Sequence, residues 1–222
     1  IKQAFSNNKI FDIFQSNKKI LLFLFQKEII TIDDYIYNEL QYKIERNGNR
    51  YYHFFYPEIK KFIGEEKTND IEKELVSINS DIFDRFEEKR QEGENDSFIC
   101  SLIREDSVEK FVEYVIRANI PLKSDVIPSL FETNSFLIEN KSTTLIEYSA
   151  FFGAIQIFQY LRLNEVELKP SLWLYAIHSR NVELIHLLES LKVNPPNEEY
   201  KTCLCESIKC HHNEFASYFE NN

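Results

Sequence analysis

The sequence predicts an all-α chain: an α-solenoid of stacked helix pairs preceded by a helical N-terminal region. Two observations carry the helical reading. Apolar residues recur at i, i+3, i+6 in "IQIFQYL" (Ile155, Phe158, Leu161) and "VELIHLLE" (Val182, Ile185, Leu188), a helical spacing. No strand-turn-strand pair joined by Asn-Gly or Asp-Gly stands out beyond "RNGNR" around Gly48. The third observation is repetition. "TLIEYSAFFGAIQIFQYLRLNEVEL" (Thr144–Leu168) aligns with "SLWLYAIHSRNVELIHLLESLKV" (Ser171–Val193) at a period of 27 residues, and "TCLCESIKCHHNEFASYF" (Thr202–Phe219) follows at 31. A looser copy is "SFICSLIREDSVEKFVEYV" (Ser97–Val115), with Val108 and Phe111 at the places of Ile155 and Phe158. Such a helix pair cannot bury its apolar stripe alone, and stacking on its neighbours does so.

Taken in order, residues 1–64 read as helical. Thr31 is expected to cap the helix of "IDDYIYNELQYKI", with Asp33 and Asp34 favouring its N-terminus. "KKILLFLFQKEIITID" follows the second-helix pattern of the later units, Ile20, Phe23 and Ile29 falling near Ile157, Tyr160 and Val166. It is a divergent capping repeat or a separate helical module. Residues 65–95 are expected to be an acidic linker with short helices, and residues 96–222 the repeats, at about 97–122, 144–168, 171–195 and 202–220. Each unit has a hydroxyl residue to cap its first helix, small residues mid-helix for close approach (Ser149–Ala150, Ala176), a polar turn and a second helix. At the turn, Gly153 faces Arg180, so a left-handed position there is strained or the turn is rebuilt.

Composition narrows the function classes. Formal net charge is −10, with +3 in residues 1–61, −9 in 65–109 and −4 in 110–222. An acidic middle without a basic stripe argues against nucleic acid, whose phosphates select clustered Lys and Arg. The longest apolar run, Ile20–Phe25, is far shorter than the ~20 residues of a membrane span. No secretory signal peptide is recognisable. Four cysteines in 222 residues do not make a disulfide scaffold, so reduced thiols and a cytoplasmic location, in association with the cytoskeleton or not, are expected. The chain opens at Ile1 and has no Met, which reads as part of a longer protein.

At "TLIEYSAFFGAIQIFQYLRLNEVEL" the unit resembles an ankyrin repeat, whose pattern is Thr-Pro-Leu-His-x-Ala-Ala-x-x-Gly followed by a second helix. Thr144, Ile146, Ser149, Ala150 and Gly153 match it. Leu145 stands for the Pro, Glu147 for the His and Glu165 for the loop Gly, and the short period leaves little room for a projecting hairpin. The Thr–His bond of the family is therefore not available in that form. The phrases "KKILLFLFQKEIITIDD", "YYHFFYPEIKKFI", "SLIREDSVEKFVEYV", "PSLWLYAIHSRNVELIHLLE" and "SIKCHHNEFASY", in this order, are similar to the large ankyrin-containing family of trichomonad protists. That family pairs degenerate repeats with a domain of unknown function. The resemblance implies a fold and a binding role, and supplies no activity.

Two groups of residues are candidates for function. "CLCESIKCHHNEF" places Cys203, Cys205, Cys210, His211 and His212 within ten residues. Cys203-x-Cys205 lacks the C-x₂₋₄-C spacing of a zinc knuckle, and on a helix the two side chains point ~200° apart. In the repeat register the cysteines fall on the first helix and the histidines in the turn, so neither a metal nor a cofactor is expected. No G-x-S-x-G, phosphate loop or H-E-x-x-H appears, so the chain reads as non-enzymatic. The second group comes from the ankyrin resemblance. It puts the two positions after the small pair on the concave, partner-binding face: Arg104 and Glu105, Phe151 and Phe152, His178 and Ser179, Lys209 and Cys210. The expected partner is a protein, with a scaffold role in a cytoskeletal assembly as the alternative. Trp173 is expected to be a core anchor, and Phe215, Tyr218 and Phe219 to meet a further repeat or a partner chain.

Overall fold

A computed structural model describes residues 5–47, 50–140 and 142–221. The Asn-Gly candidate of "RNGNR" therefore falls partly outside them, at Gly48. Among the described residues the chain is all-helical, with sixteen α-helices and one 3₁₀ turn at Pro196–Glu198. The only extended pairing among them is an isolated bridge between Asp125 and Thr144. The chain divides into two compact units, Ile1–Asp96 with Pro128–Lys141, and Ser97–Ile127 with Ser142–Asn222.

The first unit contains α1 (Asn7–Phe14), α2 (Lys18–Gln26), α3 (Asp34–Asn47), α4 (Arg50–Phe54), α5 (Tyr56–Lys60), α6 (Glu65–Ile78) and α7 (Phe86–Glu92). The acidic segment is not a linker. Ile71 and Leu75 of α6, Ile82, and Phe86 of α7 join one core with Leu21, Leu24, Ile36, Leu40, Phe54 and Phe55. Its acidic residues are the outer face of amphipathic helices, and charge density alone hid the stripe beneath. Arg90 is buried there, its guanidinium donating to Glu58 at 2.6 Å and to both oxygens of Glu87 at 3.0 Å. The buried Lys18 ammonium donates to the Leu130 and Glu132 carbonyls at 2.5 and 2.9 Å, which fixes residues 128–140 to this unit rather than to the repeats. Helix α3 is capped by Asp33, whose Oδ1 accepts from Ile36 N at 2.9 Å. Thr31, the expected cap, is instead held through its backbone by the Asn7 side chain.

The second unit consists of four helix pairs: α8 (Phe98–Arg104) with α9 (Val108–Arg117), α11 (Leu145–Phe152) with α12 (Ile155–Leu163), α13 (Leu172–Ser179) with α14 (Val182–Ser190), and α15 (Lys201–Lys209) with α16 (Asn213–Glu220). The short α10 (Ser135–Glu139), between the first two pairs in sequence, belongs to the first unit. Within each pair the helices pack together, and the first helices pack serially, α8 on α11, α11 on α13 and α13 on α15. Ser149, Ala150, Ala176 and Ser207 are fully buried at these contacts, where a larger side chain would hold the helices apart.

The turns repeat more faithfully than the side chains. A left-handed residue follows each first helix within two positions: Asp106 (φ 48°), Gly153 (69°), Arg180 (56°) and His211 (57°). The second residue after the second helix is left-handed too, at Asn119 (51°), Glu165 (60°) and Lys192 (54°). The strained conformation is thus kept where glycine is absent, because the Schellman closure gives the last carbonyls of each helix their partners. Ile120 N bonds Val115 O, Val166 N bonds Leu161 O and Val193 N bonds Leu188 O, at 2.9, 3.2 and 3.0 Å. Helix α2 ends the same way, with Glu28 at φ 51° and Ile29 N on Leu24 O at 2.9 Å. Its buried stripe differs, since Ile20 and Phe23 are exposed while Leu21 and Leu24 are buried.

Capping varies between pairs. Thr144 forms a capping box with Glu147, and the other Glu147 oxygen accepts from Ser171 Oγ of the next pair at 2.6 Å. Glu147 thereby links two units from the position the family pattern gives to His. Ser171 and Ser97 place no side-chain bond on their own helices, and Thr202 lies inside α15 rather than at its cap. The apolar stripes keep the expected Phe158, Leu161, Ile185 and Leu188 and start from Ile157 and Leu184 rather than from Ile155 and Val182. Ile157, Phe158 and Leu161, and Leu184, Ile185 and Leu188, are buried, while Ile155 is half-buried and Val182 exposed. Trp173 is fully buried; Phe215 and Phe219 are buried too, Phe219 against Trp173 and Tyr200, while Tyr218 is half-buried.

Candidate functional site

The residues after the small pair come from the C-terminal ends of four first helices. Serial packing of those helices brings them into one row. The Arg104 guanidinium lies 5.9 Å from the Phe152 ring centroid and donates to Tyr148 Oη at 3.0 Å. Phe152 meets Phe151 at 5.0 Å, and Phe151 stacks on the His178 ring at 5.0 Å and 25°. His178 Nε2 lies 3.0 Å from Glu206 Oε1, and Lys209 Nζ donates to Glu206 Oε2 at 3.0 Å. Cys210 Sγ completes the row, 3.6 Å from each ring nitrogen of His178.

Exposure along the row is uneven. Phe151 is 8% exposed, so two adjacent exposed rings are not formed and Phe152, half-buried, presents the aromatic surface alone. Glu105 and Lys209 are exposed; Arg104, His178, Ser179 and Cys210 are half-buried. Ser179 serves the backbone, donating to Ala176 O and accepting from Asn181 N.

Sequence reasoning missed Glu206 and its meeting with His178. Cys210 and Glu206 are four residues apart on α15 and face one way. His178 arrives from α13, a neighbour visible only once the pairs are stacked. The period of 31 between the third and fourth units was the one available signal, since it aligns His178 with Lys209 and so brings α13 and the end of α15 together. The five Cys and His residues of the C-terminal cluster do not share a point. Cys203 is buried, Cys205 exposed, His211 exposed, and His212 Nδ1 lies 2.8 Å from Ile177 O. Among the described residues, the one group of three potential metal ligands with mutually close donor atoms, all within 4.8 Å, is His178, Glu206 and Cys210.

The electrostatics of the trio favour neutral Cys and His. Burial lowers the His178 pKa against the pull of Glu206, and burial, helped by Glu206, pushes the Cys210 thiol up to about 11. Cys210 also sits at the C-terminal end of α15, where the helix dipole disfavours a thiolate. Sγ, equidistant from both ring nitrogens, faces the ring rather than a nitrogen lone pair, so the base is not aimed at the thiol. Cys203 is pushed up to about 12 by burial. With iodoacetamide at pH 8, Cys205 is expected to be alkylated first, Cys210 far more slowly, and Cys203 and Cys100 only on unfolding. Peptide mass spectrometry against time checks this, and early labelling of Cys203 would contradict the buried placement.

Among the described residues no helix is long and apolar enough to cross a membrane. No family model, curated protein or solved structure matches the chain.

Proposed function

We propose that the second unit is a protein-binding module, an ankyrin-like solenoid that engages its partner through the row from Arg104 to Lys209. The observation that carries this reading is the continuity of the row: residues from four separate pairs touch in sequence and most keep partial access to solvent. Its chemistry, a cation, an aromatic ring, an imidazole and a second cation, suits a peptide or protein surface carrying carboxylates and apolar side chains. The thiol and imidazole in it are not activated, which favours binding over covalent chemistry.

A second reading, assembly into a scaffold, is favoured by α15. Ile208 holds the place of the fully buried Ile177 and is 57% exposed. Photo-crosslinking separates the two. A photoreactive residue is placed at Phe152, at Lys209, at Ile208 and at Glu113 on the outer helix α9. The binding reading expects one common crosslinked protein from Phe152 and Lys209 and none from Glu113. Crosslinks from Ile208 to further copies of the chain support the scaffold. Equal crosslinking from Glu113 and Phe152 would sink the row as the binding face.

A further inference from the structure

We propose that His178, Glu206 and Cys210 form a three-ligand site for a divalent, thiolate-accepting cation, best matched by zinc, with a fourth position left to water. The donor set is one imidazole nitrogen, one carboxylate oxygen and one sulfur, the mixture a borderline-soft ion selects over magnesium or calcium. The spacing agrees with a tetrahedron. Zinc bonds of about 2.0–2.1 Å to nitrogen and about 2.3 Å to sulfur put those two atoms about 3.6 Å apart. Cys210 Sγ and His178 Nε2 are 3.6 Å apart. His178 Nε2 and Glu206 Oε1, at 3.0 Å, are hydrogen-bonded, and need a few tenths of an ångström more to span one ion.

The ligands stand on supported elements. Glu206 and Cys210 project from one face of α15, and His178 from the last turn of α13, which packs directly on α15. Lys209 holds the outer oxygen of Glu206 and leaves the inner one on His178, while Phe151 stacks on the imidazole. Such outer contacts fix the orientation of ligands. All three side chains keep partial access to solvent or lie just beneath it, which leaves an entry path. Binding moves the proton of the neutral imidazole from Nε2 to Nδ1, releases the thiol proton of Cys210 to solvent, and turns Sγ from the ring face toward the freed Nε2 lone pair. Lys209 opposes the ion by charge, and Glu206 stands between them.

The inference goes beyond the protein-binding reading, and its test uses the purified chain without any partner, so each survives failure of the other. Cobalt(II) is added to the full chain as a spectroscopic probe, and zinc in competition. The expected result is a near-ultraviolet thiolate-to-cobalt charge-transfer band at one equivalent, displaced by zinc. Cys210→Ser is expected to abolish the band, and His178→Gln and Glu206→Gln to weaken binding by more than the roughly 10–100-fold typical of losing an outer-shell partner. Cys205→Ser and His211→Asn are expected to retain it. In the wild-type chain, zinc is expected to slow alkylation of Cys210 further and leave Cys205 unchanged, a readout that needs no variant to fold. No band in the wild type, a band surviving Cys210→Ser, or loss of the band in Cys205→Ser overturns the site.

Discussion

Replacing Trp173 by Ala is expected to destabilise the second unit by about 3–5 kcal/mol, the range for truncating a fully buried Trp. Its ring is fully buried, edge-on to Tyr200 at 5.4 Å and to Phe219 at 6.0 Å, and its Nε1 donates to Val193 O at 2.9 Å. One side chain therefore joins the third pair, the connector after it and the last helix. The loss combines apolar transfer, a cavity that these rings cannot fill, and a carbonyl without its donor. Stabilities of this order are a large part of what a domain possesses. Urea unfolding followed by far-ultraviolet circular dichroism measures the cost, since the variant has no tryptophan to report. Trp173→Phe should lose clearly less than Trp173→Ala. A cost below about 1 kcal/mol for the alanine variant would show that the terminal pair does not rest on this ring.

The first unit has its own counterpart. Arg90→Ala is expected to cost about 3–5 kcal/mol, because it strands a carboxylate. Glu58 is mostly buried, and burial already raises its pKa in spite of the Arg90 charge beside it. The guanidinium also lies over the Phe54 ring at 5.1 Å, so its removal opens the aromatic core. Most of the expected cost belongs to the orphaned charge. Adding Glu58→Leu to Arg90→Ala should therefore recover a good part of the stability, whereas independent contributions would add. A double variant no more stable than Arg90→Ala would place the loss in packing alone.

The difference between the two units shows what a repeat makes legible. In the second unit the 27- and 31-residue periods identify three helix pairs and a looser copy gives the fourth, because each pair solves the same burial problem with a related pattern. The left-handed turns at Asp106, Arg180 and His211 were harder to see, since no glycine marks them; the backbone closure is repeated while the residue is not. In the first unit the acidic residues of α6 and α7 dominated the composition and concealed Ile71, Leu75 and Phe86, which need only every third or fourth position to reach the core. The return of residues 128–140 to that unit rests on contacts between Lys18 and Glu132, 114 residues apart. No local pattern encodes such a contact.

The candidate site divides in the same way. The sequence by itself determined that the chain is helical, that its C-terminal half repeats, and that the residues after each small pair form a related set. Periodicity and spacing are local properties, and they survive reading one residue at a time. Only the tertiary structure decided which members of that set meet, that Phe151 turns inward while Phe152 does not, and that Cys210 finds His178 and Glu206 rather than Cys203 or Cys205. Those outcomes depend on how closely one helix approaches the next and on which rotamer the gap admits, and both are set by packing between units.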